Sequence, residues 1–175
     1  MIYFVRHGES EANIRKVFAG QRDNSLLTQK GKEEAKLTGQ KIKRERLQIE
    51  NIISSPLKRA HDTALIIANE IGIDESLVLI DERITEYDMG DLSGKPWGII
   101  SSKILINAKN SENILDFKNR ILDCVLNIKE NKKNTLIVSH AGVYRIIETI
   151  EKKLNPNLFY DLPAIKNGEI KVVNI

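Results

Sequence analysis

The sequence predicts an α/β domain on a mainly parallel central sheet, and three observations carry that prediction. Short apolar runs recur at Ile2–Val5, Ile52–Ile53, Val78–Ile80 and Leu136–Val138. Segments with apolar residues at helical spacing lie between them. Helical connections of that length are the crossovers that parallel strands require. Ile170–Val173 adds a fifth strand near the C-terminus.

Each element has a local reason. Ile2-Tyr3-Phe4-Val5 is apolar without alternation, as expected of a strand covered on both faces. Thr28–Leu47 reads as a helix with Thr28 as its cap and Ala35 and Ile42 on its apolar face. Ser55-Pro56 reads as the start of the next helix, with serine as cap and proline at the first position. That helix carries Leu57, Ala60, Ala64, Ile67, Ala68 and Ile71 and stops at Gly72. Asp81–Pro96 is a long polar loop with two glycines. Glu112–Lys129 is a helix whose stripe runs through Ile114, Phe117, Ile121, Cys124, Val125 and Ile128. A last helix, Ala141–Lys153, follows the strand that ends at Ser139.

Composition narrows the function classes. At 175 residues, with 41% hydrophobic and 29% charged, the chain suits a single globular domain over 1–175. It has no linker, repeat or low-complexity tract. The 27 basic and 24 acidic residues leave a net charge of only +3, and the sequence pI is near 8.9. The densest basic stretch, Lys41-Ile42-Lys43-Arg44-Glu45-Arg46, has helical spacing and an internal glutamate. It reads as a solvated helix face, so no nucleic-acid partner is expected. No apolar run reaches membrane-spanning length, and the N-terminus lacks the pattern of a signal peptide. The expected location is the cytoplasm, with no membrane partner. Cys124 is the one cysteine, which excludes an intramolecular disulfide and places a small side chain in the core.

The chemically capable residues cluster at predicted strand ends. Arg6-His7-Gly8-Glu9 follows the first strand directly. Arg59 follows the second, one turn into its helix. Glu82 and Glu86 follow the third, and His140 follows the fourth. In open α/β sheets, ligands bind beyond the carboxyl ends of the strands, so these side chains are expected to share one pocket. Arginine offers planar donors matched to phosphate oxygens. A histidine at a rigid strand end keeps one ring orientation, and Gly8 is expected to let the backbone approach a ligand. Glu9 is read as a residue that orients the loop. His61 lies two residues after Arg59 and is expected on another face or at the rim. The three histidines are far apart and lack metal-ligand spacing, so no metal is expected.

These blocks, in this order, resemble the histidine phosphatase superfamily, also called the phosphoglycerate mutase-like family. The likeness rests on Arg6 to Glu9 with Asn13, and on Phe18 to Gln21 with Asp23 and Leu27 to Gly31. It continues through Ser54 to Ala60 with Thr63 and Ala64, Glu86 with Gly90 and Gly94, and Ser139 to Val143. Two departures stand out. One extra residue lies between Asp23 and Thr28, and Ala141 occupies the place where the family usually has glycine. The resemblance implies a three-layer αβα sandwich and a phosphatase-type member. It implies that His7 attacks phosphorus to form a phosphohistidine and that Glu86 serves as general acid and then base. Arg6, Arg59, His140 and Asn13 would surround the phosphoryl oxygens, and Gly20, Gln21 and the backbone of Ala141 would contact substrate. No cofactor and no metal are implied. A short lid insertion is expected at about 95–113, where Trp97 is read as a packing residue, with a place in the pocket wall as the alternative.

That short lid, and few arginines beyond Arg6 and Arg59, favour phosphomonoester hydrolysis over mutase chemistry, which needs a cover and charge for two phosphates. Phosphoglycerate mutase-type transfer is the first alternative, and a non-catalytic phosphate-binding module is the second. The expected partner is a phosphorylated small molecule or a phosphoprotein. The chain is expected to be a monomer or homodimer.

Overall fold

The computed structural model describes residues 1–97 and 100–175. Its core is a five-stranded sheet of β1 (Ile2–Arg6), β2 (Asn51–Ser54), β3 (Val78–Ile80), β4 (Thr135–Ser139) and β5 (Ile170–Val173). The strand order is β3-β2-β4-β1-β5. All pairs are parallel except β1 with β5, which is antiparallel and closes one edge. The mainly parallel sheet expected from the apolar runs is therefore present.

Alternation along the strands divides the core in two. Phe4 and Ile137 face one way, onto α5 (Ile114–Glu130) and α6 (Ala141–Glu151). Tyr3, Val5, Leu136 and Val138 face the other way, onto α2 (Gln29–Arg44) and α3 (Lys58–Ile71). Side chains of successive strand residues project to opposite faces, so an unbroken apolar run fills both layers at once. The result is helices, sheet, helices: the three-layer sandwich. Cys124 sits in the first of these cores, and burial pushes its thiol up to about 12.

Most helix signals hold. Thr28 caps α2 by accepting from the Gly31 N–H at 3.0 Å. Gly72 ends α3 at φ 80°, a left-handed conformation that glycine takes without steric cost. α5 begins at Ile114, two residues later than expected, with Asn113 as its cap accepting from Leu115 N and Asp116 N. The start of α3 differs from expectation. Leu57 is its N-cap and Lys58 its first residue, three positions beyond Ser55. Proline disfavours helical backbone in the residue before it, so Ser55 stays extended. Its side chain is used elsewhere, as described below.

Three elements had no clear sequence signal. One is α1 (Glu11–Arg15), and another is α4 (Ser102–Ile106) within the segment expected to be a lid. The third is the short 3-10 turn Pro156–Asp161, which packs against α4 and α6. The Asp81–Pro96 loop holds two further 3-10 turns, Glu82–Ile84 and Gly90–Leu92. Gly98 and Ile99 of the expected lid lie outside the described residues.

Candidate active site

Strand register brings the two histidines together. Arg6 of β1 pairs with Ser139 of β4, and the His7 N–H donates to the Ser139 carbonyl at 2.9 Å. His7 and His140 therefore leave adjacent parallel strands at the same level. Their ring centroids are 5.2 Å apart, edge to face. The neighbouring strand β2 ends level with Val138, which delivers Ser55 and then Arg59 to the same edge.

His7 is held in one tautomer. Its Nδ1 lies 2.7 Å from the Gly8 carbonyl, an acceptor only, so Nδ1 carries the proton. Nε2 keeps its lone pair on a ring that lines the cavity. Burial first, then the Arg59 and Arg6 charges, lowers the His7 pKa well below the usual 6.5. The ring is therefore neutral near pH 7.

Gly8 has a different task from the one expected. A Cβ there would collide with the Gly31 backbone, and a Cβ on Gly31 would collide with the Glu9 backbone. The loop after β1 is thus clamped against the start of α2. Glu9 helps, accepting from Thr28 Oγ1 at 3.0 Å and from Lys30 Nζ at 2.8 Å. Close approach serves loop placement, and through it the Nδ1 contact of His7.

The cations are anchored through carbonyls. Arg59, 2% exposed, donates to Asp23 O at 2.8 Å and Gly20 O at 2.9 Å. Arg6 donates to Ile165 O at 2.8 Å. Burial lowers both guanidinium pKa values, while Glu86 is the largest opposing charge for each. Asn13 Oδ1 takes bonds from Ser10 N, Ser10 Oγ and Asn167 Nδ2, which fixes the amide and turns its NH2 to other use. Among the described residues no group of three His, Cys, Asp or Glu side chains is placed to hold a metal ion.

Glu86 meets the start of α6. Its Oε2 accepts from the Gly142 N–H at 3.2 Å and its Oε1 from the Tyr87 N–H at 2.9 Å. A Cβ on Gly142 would overlap Oε1, so any larger residue there would push the Glu86 carboxyl aside. His140 is fully buried; its Nε2 lies 2.7 Å from Ser55 Oγ and its Nδ1 has no protein partner. Burial first, then the Arg59 charge, lowers its pKa well below 6.5.

A cavity of about 340 Å³ opens among most of these groups; His140 is not among its lining residues and sits buried behind His7, against which its ring packs. Arg6, His7, Asn13, Gly20, Arg59, Glu86 and Ala141 line it directly, with Phe18, Met89, Trp97, Phe159 and Tyr160 as its apolar walls. Gln21 lies behind the wall, its amide donating to the Glu86 carbonyl at 2.8 Å. It positions the Glu86 backbone instead of facing the cavity. His61 and the exposed Glu82 are also outside the lining.

Two residues escaped sequence reasoning. Ser55 was read as a cap and as part of the Ser54 to Ala60 block but given no role in the site, although its position at the end of a strand matched that of His7 and His140. Arg145 was not singled out, yet it lines the cavity. Its spacing of three and four residues from Gly142 and Ala141 on one helix was the available signal.

The family model for the histidine phosphatase superfamily (branch 1) matches residues 2–175. A protein of Thermoplasma acidophilum named 2,3-bisphosphoglycerate-dependent phosphoglycerate mutase is 38% identical over 98% of this chain and 85% of its own length. A Hydrogenobacter thermophilus protein provisionally named phosphoserine phosphatase 2 is 30% identical over 83% of this chain and 75% of its own. With other relatives the match is shorter: the mutase of Mesorhizobium japonicum aligns over 55% of this chain, and the aligned region is 50% of that protein. Among solved structures, Bacillus stearothermophilus YhfR superposes with a TM-score of 0.81 at 24% identity, covering 97% of this chain and 88% of that one. That likeness shows the fold. By the extent of the family match and of these two long relatives, this chain belongs to the histidine phosphatase superfamily, branch 1.

Proposed function

We propose that this protein hydrolyses phosphomonoesters through a phosphohistidine on His7. The supporting observation is the locked ring: Nδ1 is committed to Gly8 O, leaving Nε2 as a neutral nucleophile in a cavity bordered by arginines. Nε2 attacks phosphorus and the bond to the leaving oxygen breaks. Arg6, Arg59 and the Asn13 amide donate to the phosphoryl oxygens, together with His140 Nδ1 when Ser55 Oγ donates to its Nε2. These donors are set before substrate arrives, so they stabilise transferred charge without reorganisation. Glu86 in its acid form gives a proton to the leaving oxygen. As a carboxylate it then takes one from the water that attacks the phosphohistidine. Trp97 contributes to one wall of the cavity.

The substrate class is a small phosphorylated molecule. The cavity volume and its apolar walls suit an organic portion of a few carbon atoms. His7→Ala is expected to abolish release of p-nitrophenol from p-nitrophenyl phosphate. A variant that kept the parent rate would refute the nucleophile assignment.

Phosphoglycerate mutase-type transfer is the second reading, favoured by the Thermoplasma relative that aligns over nearly the whole chain. Incubation with 3-phosphoglycerate, with and without the 2,3-bisphosphate, separates the two. Interconversion faster than phosphate release would reverse the order.

A further inference from the structure

A third guanidinium faces the cavity, and the proposed reaction does not use it. Arg145 lies on the same face of α6 as Ala141 and Gly142, four and three residues behind it, and all three line the cavity. One helical turn is a rise of about 5.4 Å, so Arg145 stands roughly that far along the wall from the end of the helix that meets His7 and Glu86. Its guanidinium carbon sits 4.4 Å over the ring of Tyr160, which comes from the Pro156–Asp161 turn. This contact with Tyr160, which includes a side-chain hydrogen bond, holds the guanidinium at the cavity wall. Its Nε is buried with no partner. Among the described residues, no carboxylate lies within ion-pair distance of Arg145. Its charge also reaches Arg6, adding positive field to the cavity.

Resting on the phosphatase reading, we propose that Arg145 binds a second anionic group of the substrate, a carboxylate set a few bonds from the transferred phosphoryl group. A stacked guanidinium offers a carboxylate two parallel N–H bonds. Phe18, Met89 and Trp97 make the rest of the wall apolar, while Arg6, Arg59 and Glu86, which share the cavity, are assigned to the phosphoryl end. The cavity admits a small phospho-acid, with the phosphate at His7 and the acid at Arg145. Substrates that lack the acid leave this cation unpaired in a partly apolar site, and the enzyme discriminates against them. A second phosphate would meet the same cation, so the two anions need separate arms in the test.

The test compares matched pairs: O-phosphoserine against phosphoethanolamine, and 3-phosphoglycerate against glycerol 3-phosphate, with fructose 1,6-bisphosphate as the second-phosphate arm. Phosphate release is measured for the parent, Arg145→Gln and Arg145→Lys. The parent is expected to prefer the carboxylate member of each pair. Arg145→Gln is expected to shrink that preference in kcat/KM by about 10- to 100-fold, the scale of a lost charge-assisted pair, chiefly through KM. Lysine restores part of it. Equal losses for both members of each pair would overturn the proposal, as would a loss confined to the bisphosphate. Calorimetric binding of the same ligands to each protein keeps the two readings distinguishable. If no ester is hydrolysed, the phosphatase reading falls. The Arg145 subsite then stands only if carboxylate ligands still bind more tightly and lose that advantage in Arg145→Gln.

Discussion

At the scale of single residues, the site depends on which atom of each side chain is already engaged. His7 has Nδ1 committed and Nε2 free, and its neighbours keep the ring uncharged. Glu86 has both oxygens on backbone N–H groups, one from the first turn of α6. Those bonds aim the carboxyl without a second acid beside it. Glu86→Gln keeps the side-chain size and removes the transferable proton, with one of the two backbone N–H bonds lost. It is expected to slow phenyl phosphate by about 10²- to 10⁴-fold, the usual worth of acid–base catalysis, and p-nitrophenyl phosphate much less. Comparing the two rates checks the role, and equal loss for both esters would remove it. Arg6, His7 and His140 were legible in the sequence because each directly follows a strand signal, and Arg59 and Glu86 because they lie in the helix start and the loop beyond one. For Gln21 the place on the loop did not reveal where its amide would point, which is to the Glu86 carbonyl. Arg145 was passed over because it sits within a helix, away from any strand end.

At the scale of elements, parallel register does the positioning. Pairing of Arg6 with Ser139 sets both histidines at one level, and the clamp between Gly8 and Gly31 holds the loop that follows. Gly31→Ala places a methyl group against the Glu9 backbone. It is expected to destabilise the protein by about 1–3 kcal/mol and to reduce activity, because the Glu9 shift passes to the Gly8 carbonyl that orients His7. Urea unfolding followed by activity at a temperature where the variant is folded separates the two effects. The long elements were readable because apolar runs and 3.6-residue spacing are direct consequences of burial. The start of α3 was not, since Ser-Pro fits both a cap and an extended strand exit. Only the tertiary partner, His140, decides between them. The short turns, α1 and Pro156–Asp161, are too brief to show a period, and their packing partners are distant in sequence.

At the scale of the whole molecule, two buried histidines in a field of arginines link stability to pH. Both have lowered pKa values, with burial as the first cause and the arginine charges next. Below pH 6.5 the unfolded chain binds protons at these rings that the folded chain does not. Stability is therefore full above that pH and declines as pH falls through it. Each ring contributes a slope of up to about 1.4 kcal/mol per pH unit below pH 6.5. The stability difference between the parent and the His7→Gln/His140→Gln double variant is expected to change in this sense between pH 7 and 5. Denaturant titrations across that range measure it. A parallel pH dependence in the two proteins would contradict the buried, neutral state of the rings.

The central claim is that Nε2 of His7 carries the phosphoryl group during turnover. Rapid acid-free quenching after mixing with a phosphorylated substrate, followed by proteolysis and mass spectrometry in neutral solution, tests it most directly. The predicted result is a phosphoryl group on the peptide containing His7, lost on acid treatment and absent from His7→Gln, which also fails to release phosphate. Phosphate on any other residue, or parent-rate release by His7→Gln, would contradict the account.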